Sequence, residues 1–121
     1  MKRIIKASGI FGMANLNPQK SGLGNIIIWS DHAGITRSVS HKNTPRIKLS
    51  IGDESISITI SATPKRLDHK KLSTGTAAKF KPGIDYVARN YEIFLKHYMD
   101  TTFEFDDEDL FEALRKKGEY K

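Results

Sequence analysis

The chain lacks several features that would place it in a familiar class of protein. Its 121 residues include no cysteine, which excludes a disulfide scaffold, a thiolate zinc site and a cysteine nucleophile. No apolar run approaches the roughly 20 residues that cross a bilayer. The basic residues after Met1 are not followed by the apolar stretch of a secretory signal. These absences favour a cytoplasmic protein that does not enter a membrane.

Length and composition are those of one globular domain. Hydrophobic residues make up 38% of the chain and charged residues 28%, which is typical of a protein with a core rather than of a disordered tail. A chain of this length forms a single core. We therefore expect one domain, residues 1–121, without internal repeats.

Charge is divided unequally along the chain, whose net charge is +6. Up to Pro82 there are 14 basic and 4 acidic residues, whereas the last 39 residues include 6 basic and 10 acidic ones. A basic body attracts polyanions, because each phosphate that it neutralises releases condensed counterions. The same distribution also fits two solvated faces that only keep the protein in solution.

The clearest strand signals predict an antiparallel hairpin. Apolar and polar residues alternate over residues 46–51 and again over 56–61, which is the pattern of a sheet with one buried and one wet face. Residues 26–29 are continuously apolar and predict a strand buried on both faces. Trp29 is then expected to be core rather than a surface for base stacking. Weaker strand candidates are residues 2–7 and 36–41.

Residues 9–25 predict a flexible loop, because they hold four glycines, three asparagines and a proline. The glycines within residues 20–25 are of the kind that cradle phosphate. That mechanism needs them to follow a strand and open a helix, whereas here they precede a strand. We therefore interpret them as part of the loop.

Two helices are predicted in the second half of the chain. Apolar residues recur at spacings of three and four over residues 82–98, which predicts one helix that begins near Pro82 and covers the hairpin. Asp106 is expected to cap a short acidic helix over residues 106–117, with Gly118 ending it. The predicted fold is α+β, with an antiparallel sheet of about three to five strands packed against one main helix.

The histidines do not form a recognised metal or catalytic motif. Residues 30–32 read Ser-Asp-His, but three consecutive residues cannot hydrogen-bond in series as a catalytic triad does. His32 and His41 flank a predicted turn, so a His-dependent nuclease is kept as a third hypothesis. His97 and Asp100, one helical turn apart, predict a surface contact or a helix-end interaction. We expect no catalytic residue, no metal and no cofactor.

The run Ile28-Trp29-Ser30-Asp31-His32, followed by hairpin strands and one helix, resembles a small bacterial domain family of unknown function found in toxin–antitoxin-like gene pairs. Residues 33–35 read Ala-Gly-Ile where that family has Pro-Pro-His. The glycine-rich start and the acidic residues 106–111 resemble small proteins of phages and mobile elements of Gram-positive bacteria. These resemblances imply binding, regulation or obstruction of a host system rather than metabolism.

Our leading hypothesis is a non-enzymatic accessory protein of a phage or mobile element. It would bind an anionic partner, nucleic acid or a ribonucleoprotein, through a basic, β-rich surface. The candidate binding residues are Arg37, Lys42, Arg46, Lys48, Lys65, Arg66, Lys70 and Lys71.

The alternative hypothesis is a protein–protein inhibitor of a bacterial defence effector. It would act through the acidic C-terminal helix, whose apolar side chains suit a groove on a partner. The candidate contact residues are Asp107, Glu108, Leu110, Phe111 and Leu114.

Overall fold

The computed structural model describes residues 14–31, 44–68, 71–72, 75–100, 102 and 104–121. The strands predicted over residues 2–7 and 36–41 lie outside these residues, as do His32 and His41. The described residues confirm an α+β fold with a four-stranded antiparallel sheet. None of the helices in these ranges is both long and apolar enough to cross a bilayer.

The sheet is a meander in which each strand pairs antiparallel with the next one along the chain. Its strands are β1 (Ala14–Leu16), β2 (Ile27–Ser30), β3 (Arg46–Ile51) and β4 (Glu54–Thr59). Because sequential strands are neighbours in space, one row of side chains runs across the whole sheet.

β3 and β4 form the predicted hairpin. Ile47 pairs with Ile58 and Leu49 with Ile56, and all four side chains are buried on the same face. The connection is tighter than predicted, since only two residues separate the strands. Its first residue, Gly52, has φ +58°, a left-handed conformation that glycine adopts without a Cβ clash.

β2 is buried on one face only, which corrects the prediction that both of its faces are covered. Ile28 is fully buried, whereas Ile27 and Trp29 point to the other face and are partly exposed. The described helices pack on the Ile28 side of the sheet. An unbroken apolar run therefore does not need a second covering layer.

Residues 14–25 are not the loop that their composition predicted. Leu16 of β1 pairs with β2 and is buried. The helical turn α1 (Pro18–Ser21) follows, capped by Asn17, whose side chain accepts a hydrogen bond from the Gln19 N–H at 2.8 Å. Gly22 then ends the turn with φ +80°. A three-residue strand and a single turn are too short for hydrophobic periodicity to reveal.

The single helix predicted over residues 82–98 is two helices, α3 (Lys81–Arg89) and α4 (Tyr91–Met99), preceded by the turn α2 (residues 76–79). They are separated at Asn90, where φ is −120° and ψ is 22°. The Asn90 side chain donates from Nδ2 to its own i−4 carbonyl oxygen at 2.9 Å. A side-chain amide that binds the backbone in this way competes with the helical ladder. The apolar periodicity continues across the break and conceals it.

α3 lies directly on the buried face of the sheet, and Gly83 permits this close approach. A Cβ built at Gly83 would lie 2.9 Å from Cγ2 of Ile26 and 3.3 Å from Cδ1 of Leu49. Ordinary contacts between carbon atoms are about 3.5 to 4.0 Å. The missing side chain thus sets the distance between the helix and the sheet.

The acidic C-terminal helix, α5 (Asp107–Lys116), is confirmed together with its cap. Asp106 accepts a hydrogen bond from the Asp109 N–H at 3.0 Å, and the Asp109 carboxylate accepts from the Asp106 N–H at 3.1 Å. This reciprocal arrangement is a capping box. Gly118, with φ +78°, lies just beyond the helix end, as predicted.

The residues after α5 fasten it to the rest of the molecule. Tyr120 stacks on Phe111 with 5.1 Å between ring centroids, and its hydroxyl accepts from the Asn17 N–H at 3.1 Å. The Tyr86 hydroxyl of α3 donates to the Glu119 carbonyl oxygen at 2.6 Å, and burial raises the pKa of this phenol. The C-terminal segment is therefore integrated into the fold.

Candidate functional site

One face of the sheet is turned away from the buried isoleucines, and we call it the polar face. Successive side chains of a strand point to opposite sides, so the pairing register identifies its members. Each of them is exposed or only partly buried. On the four strands they are Asn15, Ile27, Trp29, Arg46, Lys48, Ser50, Ser55, Ser57 and Thr59.

One row of the polar face crosses all four strands. Asn15 pairs with Trp29, Trp29 with Lys48, and Lys48 with Ser57. Side chains directly opposite one another on neighbouring strands have Cβ atoms about 4.5 to 5.5 Å apart. The row therefore sets the only tryptophan of the chain beside an exposed lysine.

A second row reaches beyond β4. An isolated bridge pairs Ile58 of β4 with Arg66, and the Thr59 N–H donates to the Lys65 carbonyl oxygen at 2.9 Å. Lys65 is thus opposite Thr59, and Thr59 is opposite Arg46 on its other side. Because opposed residues share a face, Lys65 extends the polar face and adds a cation to it.

Trp29 has a defined orientation on the polar face, which corrects the expectation that it belongs to the core. Its indole Nε1–H donates to Oγ of Ser50 at 2.8 Å. The Nζ of Lys48 lies 5.5 Å from the centroid of the indole ring, within the range of a cation–π contact. The ring is thereby held by two residues of β3 while it remains partly exposed.

A shallow cavity of about 150 Å³ lies beside Trp29. Its lining combines aromatic, cationic and carboxylate groups, and includes Trp29, Asp31, Arg46, Lys48, Ser57 and Tyr98. Arg46 and Lys48 thus contribute both to the cavity and to the polar face. The cavity joins the two rows and marks the point of the face with the most varied chemistry.

Three of the eight cations predicted from the sequence converge on the polar face. They are Arg46, Lys48 and Lys65. In the described part of the chain none of the three forms an ion pair, whereas Arg66, Lys81, Arg89 and Arg115 each bind a carboxylate within 3.3 Å. The three cations are therefore not held in ion pairs by acids among the described residues, although Asp31 lines the same cavity as Arg46 and Lys48.

The other five predicted cations are placed differently. Arg66 is opposite Ile58, on the side away from the polar face, and its Nη2 lies 2.7 Å from a carboxylate oxygen of Asp68. Lys71 is exposed in the connection that follows. The remaining three, Arg37, Lys42 and Lys70, lie outside the described residues.

The acidic helix does not offer the apolar contact surface that the inhibitor hypothesis requires. Leu110 and Leu114 are 0% exposed and belong to the core, which corrects their assignment as partner-binding residues. Phe111 is half-buried against Tyr120. Of the five residues proposed for this surface, Glu108 is the one that is fully exposed. The amphipathic pattern of α5 serves the interior of the protein.

Ser30, His97 and Asp107 form a hydrogen-bonded chain that the sequence did not reveal. Oγ of Ser30 lies 2.7 Å from Nδ1 of His97, and Nε2 of His97 lies 3.0 Å from Oδ1 of Asp107. An ionised carboxylate only accepts, so Nε2 carries a proton, and in the neutral tautomer Nδ1 accepts from the serine hydroxyl. His97 is 0% exposed, so its predicted surface contact with Asp100 is wrong. The alternative, a helix-end interaction, is present in the main chain, where the Asp100 N–H donates to the His97 carbonyl oxygen at 3.4 Å.

The three hydrogen-bonded side chains are of the residue types found in a hydrolytic triad, but their geometry is that of a structural link. In serine hydrolases Nε2 faces the serine and Nδ1 faces the carboxylate, whereas here the two nitrogens are exchanged. Ser30 is 1% exposed, so its hydroxyl does not reach a substrate. We therefore assign to these three residues the role of holding α4 and α5 against β2. In the sequence, the features that could have indicated this link are a serine at the end of an apolar strand and a histidine within the apolar stripe of a helix.

Metal binding is not indicated by the described residues. They contain no group of three or more histidine, aspartate or glutamate side chains placed to hold a metal ion. His32 and His41, on which the nuclease hypothesis depends, lie outside them.

Comparisons of the chain with protein-family models, with curated proteins and with solved structures found no match. The resemblances noted for residues 28–32 and 106–111 therefore stay predictions, as does an origin in a phage or mobile element.

Proposed function

We propose that this protein binds nucleic acid through the polar face of its sheet. The observation that carries the proposal is the convergence of Arg46, Lys48 and Lys65 on one face beside Trp29. Arg46 and Lys48 lie two residues apart on β3, Lys65 lies beyond β4, and within the described residues no carboxylate forms an ion pair with them. A polyphosphate chain is the partner that such a group of neighbouring cations favours.

The number of cations gives the expected salt dependence of binding. Each neutralised phosphate contributes a slope of about −0.9 for duplex DNA, or about −0.7 for a single strand, to the logarithm of affinity against the logarithm of salt concentration. Three contacts therefore predict a slope of about −2 to −3. Cations outside the described residues would make the slope steeper.

The proposal is tested by titrating the protein with fluorescently labelled DNA and RNA at several salt concentrations and following the anisotropy. Lys48→Gln should weaken binding and reduce the magnitude of the slope by about 1. The matched control is Lys116→Gln, which removes an equally exposed charge from α5 and should leave the slope unchanged. Absence of binding at low salt, or equal effects of the two substitutions, would overturn the proposal.

A further inference from the structure

The orientation of Trp29 suggests which kind of nucleic acid the polar face takes. A hydrogen bond from Nε1 to Ser50 fixes the edge of the indole. This contact places the ring across the strand boundary between β2 and β3 rather than in the interior. An aromatic ring that is partly exposed and already oriented loses little conformational freedom when a second planar group stacks on it.

Among the described residues, the polar-face neighbours of the indole on β3 and β4 are mostly small. Ser50 and Ser55 lie opposite each other on the polar face, and so do Lys48 and Ser57. Three of these four side chains are serines, which barely rise above the backbone. The Lys48 side chain is exposed, and its stem borders the ring, so its ammonium group can contact a phosphate beside a stacked base.

The cavity beside Trp29 places aromatic surface next to two cations. The partly exposed Trp29 provides the aromatic surface, whereas Tyr98, also among the lining residues, is only 2% exposed. Arg46 and Lys48 border the same cavity, and from there they reach the phosphates on either side of an inserted base.

We propose that the polar face binds single-stranded nucleic acid by stacking one base on Trp29, with the flanking phosphates on Arg46, Lys48 and Lys65. This inference rests on the proposed function and narrows its ligand to single strands. The bases of a duplex are stacked on one another and do not present a ring face to a protein, whereas those of a single strand do. Base stacking on an aromatic side chain is also tolerant of sequence, so composition should matter little.

The size of the effect follows from the stacking contribution. Removing an aromatic platform lowers single-strand affinity by about 5- to 150-fold. Trp29→Leu is expected to show this loss, and Trp29→Phe, which keeps an aromatic face, should retain most of the affinity. Neither substitution alters the number of phosphate contacts, so both should preserve the salt slope. That combination separates a stacking residue from one that only supports the fold.

Stacking in the unsubstituted protein is followed by its intrinsic fluorescence, because Trp29 is its only tryptophan. The affinities of Trp29→Leu and Trp29→Phe, which lack this fluorophore, are measured by the anisotropy of the labelled probes. The probes are an oligothymidylate of about 12 nucleotides, within the range of about 4 to 16 that small single-strand-binding domains cover, and a duplex of the same length. We expect quenching and tighter binding with the single strand. Circular dichroism of each variant establishes that the substituted protein is folded.

The outcomes distinguish this inference from the proposed function. Binding of both probes with equal affinity and without quenching overturns base stacking while nucleic-acid binding stands. Full single-strand affinity of folded Trp29→Leu also overturns stacking. Failure of the unsubstituted protein to bind either probe at low salt overturns both proposals together.

Discussion

Replacement of Gly83 by alanine tests which face of the sheet the helices cover. The added Cβ would lie 2.9 Å from Cγ2 of Ile26 and 3.3 Å from Cδ1 of Leu49. Ile26 is a β-branched residue with few alternative rotamers, and it is 2% exposed. The clash is therefore relieved by movement of α3 away from the sheet rather than by rotation of one side chain.

Two opposing effects determine the result of Gly83→Ala. Alanine is favoured over glycine within a helix by about 1 kcal/mol, and by less in the first turn of α3, where Gly83 lies. Inserting a methyl group into a well-packed core costs about 1 to 3 kcal/mol. We therefore expect a net loss of about 1 to 2 kcal/mol in the free energy of unfolding.

Urea denaturation followed by circular dichroism measures this loss. A double-mutant cycle with Ile26→Ala provides the control, because that substitution removes Cγ2 and gives the new methyl group space. In the Ile26→Ala background the cost of Gly83→Ala should fall by about 1 kcal/mol or more. Stabilisation of the single variant Gly83→Ala by the full helix-propensity value would refute the close approach of α3 to the sheet.

Two further predictions concern links between distant parts of the chain. His97→Ala removes a fully buried imidazole that bonds to Ser30. It should lower the free energy of unfolding, measured by urea titration, by about 2 to 5 kcal/mol. A loss below about 0.5 kcal/mol, which is typical of a surface substitution, would contradict the structural role of His97. Hydrogen bonds from Arg89 hold the pKa of the Glu119 carboxyl below its ordinary value of 4.5. The charged carboxylate therefore stabilises the folded protein above pH 4.5, and this stabilisation is lost as the pH falls through the lowered pKa. Glu119→Gln should therefore cost about 0.2 to 1 kcal/mol at pH 7 and nothing in acid, and a difference that increased towards low pH would speak against this pair.

The features that sequence predicted correctly are those set by neighbours within about ten residues. The hairpin of β3 and β4 follows from strict alternation on both sides of a glycine-containing turn. The cap of α5 follows from Asp106 and the acids of the next turn, which bond to one another without help from the rest of the fold. Asn90 marks the limit of this reasoning, because its bond to the helix backbone leaves the apolar periodicity intact.

The amino-acid pattern alone thus determined the strands of the hairpin, the apolar stripe of α3 and α4, and the charged ends of α5. Tertiary packing decided which side of the sheet the helices cover, and with it the placement of Trp29 beside Lys48 rather than in the core. It also brought Ser30 to His97 across 67 positions of sequence. Contacts of this kind depend on how whole helices and strands pack against each other, so the local periodicity of the sequence does not predict them.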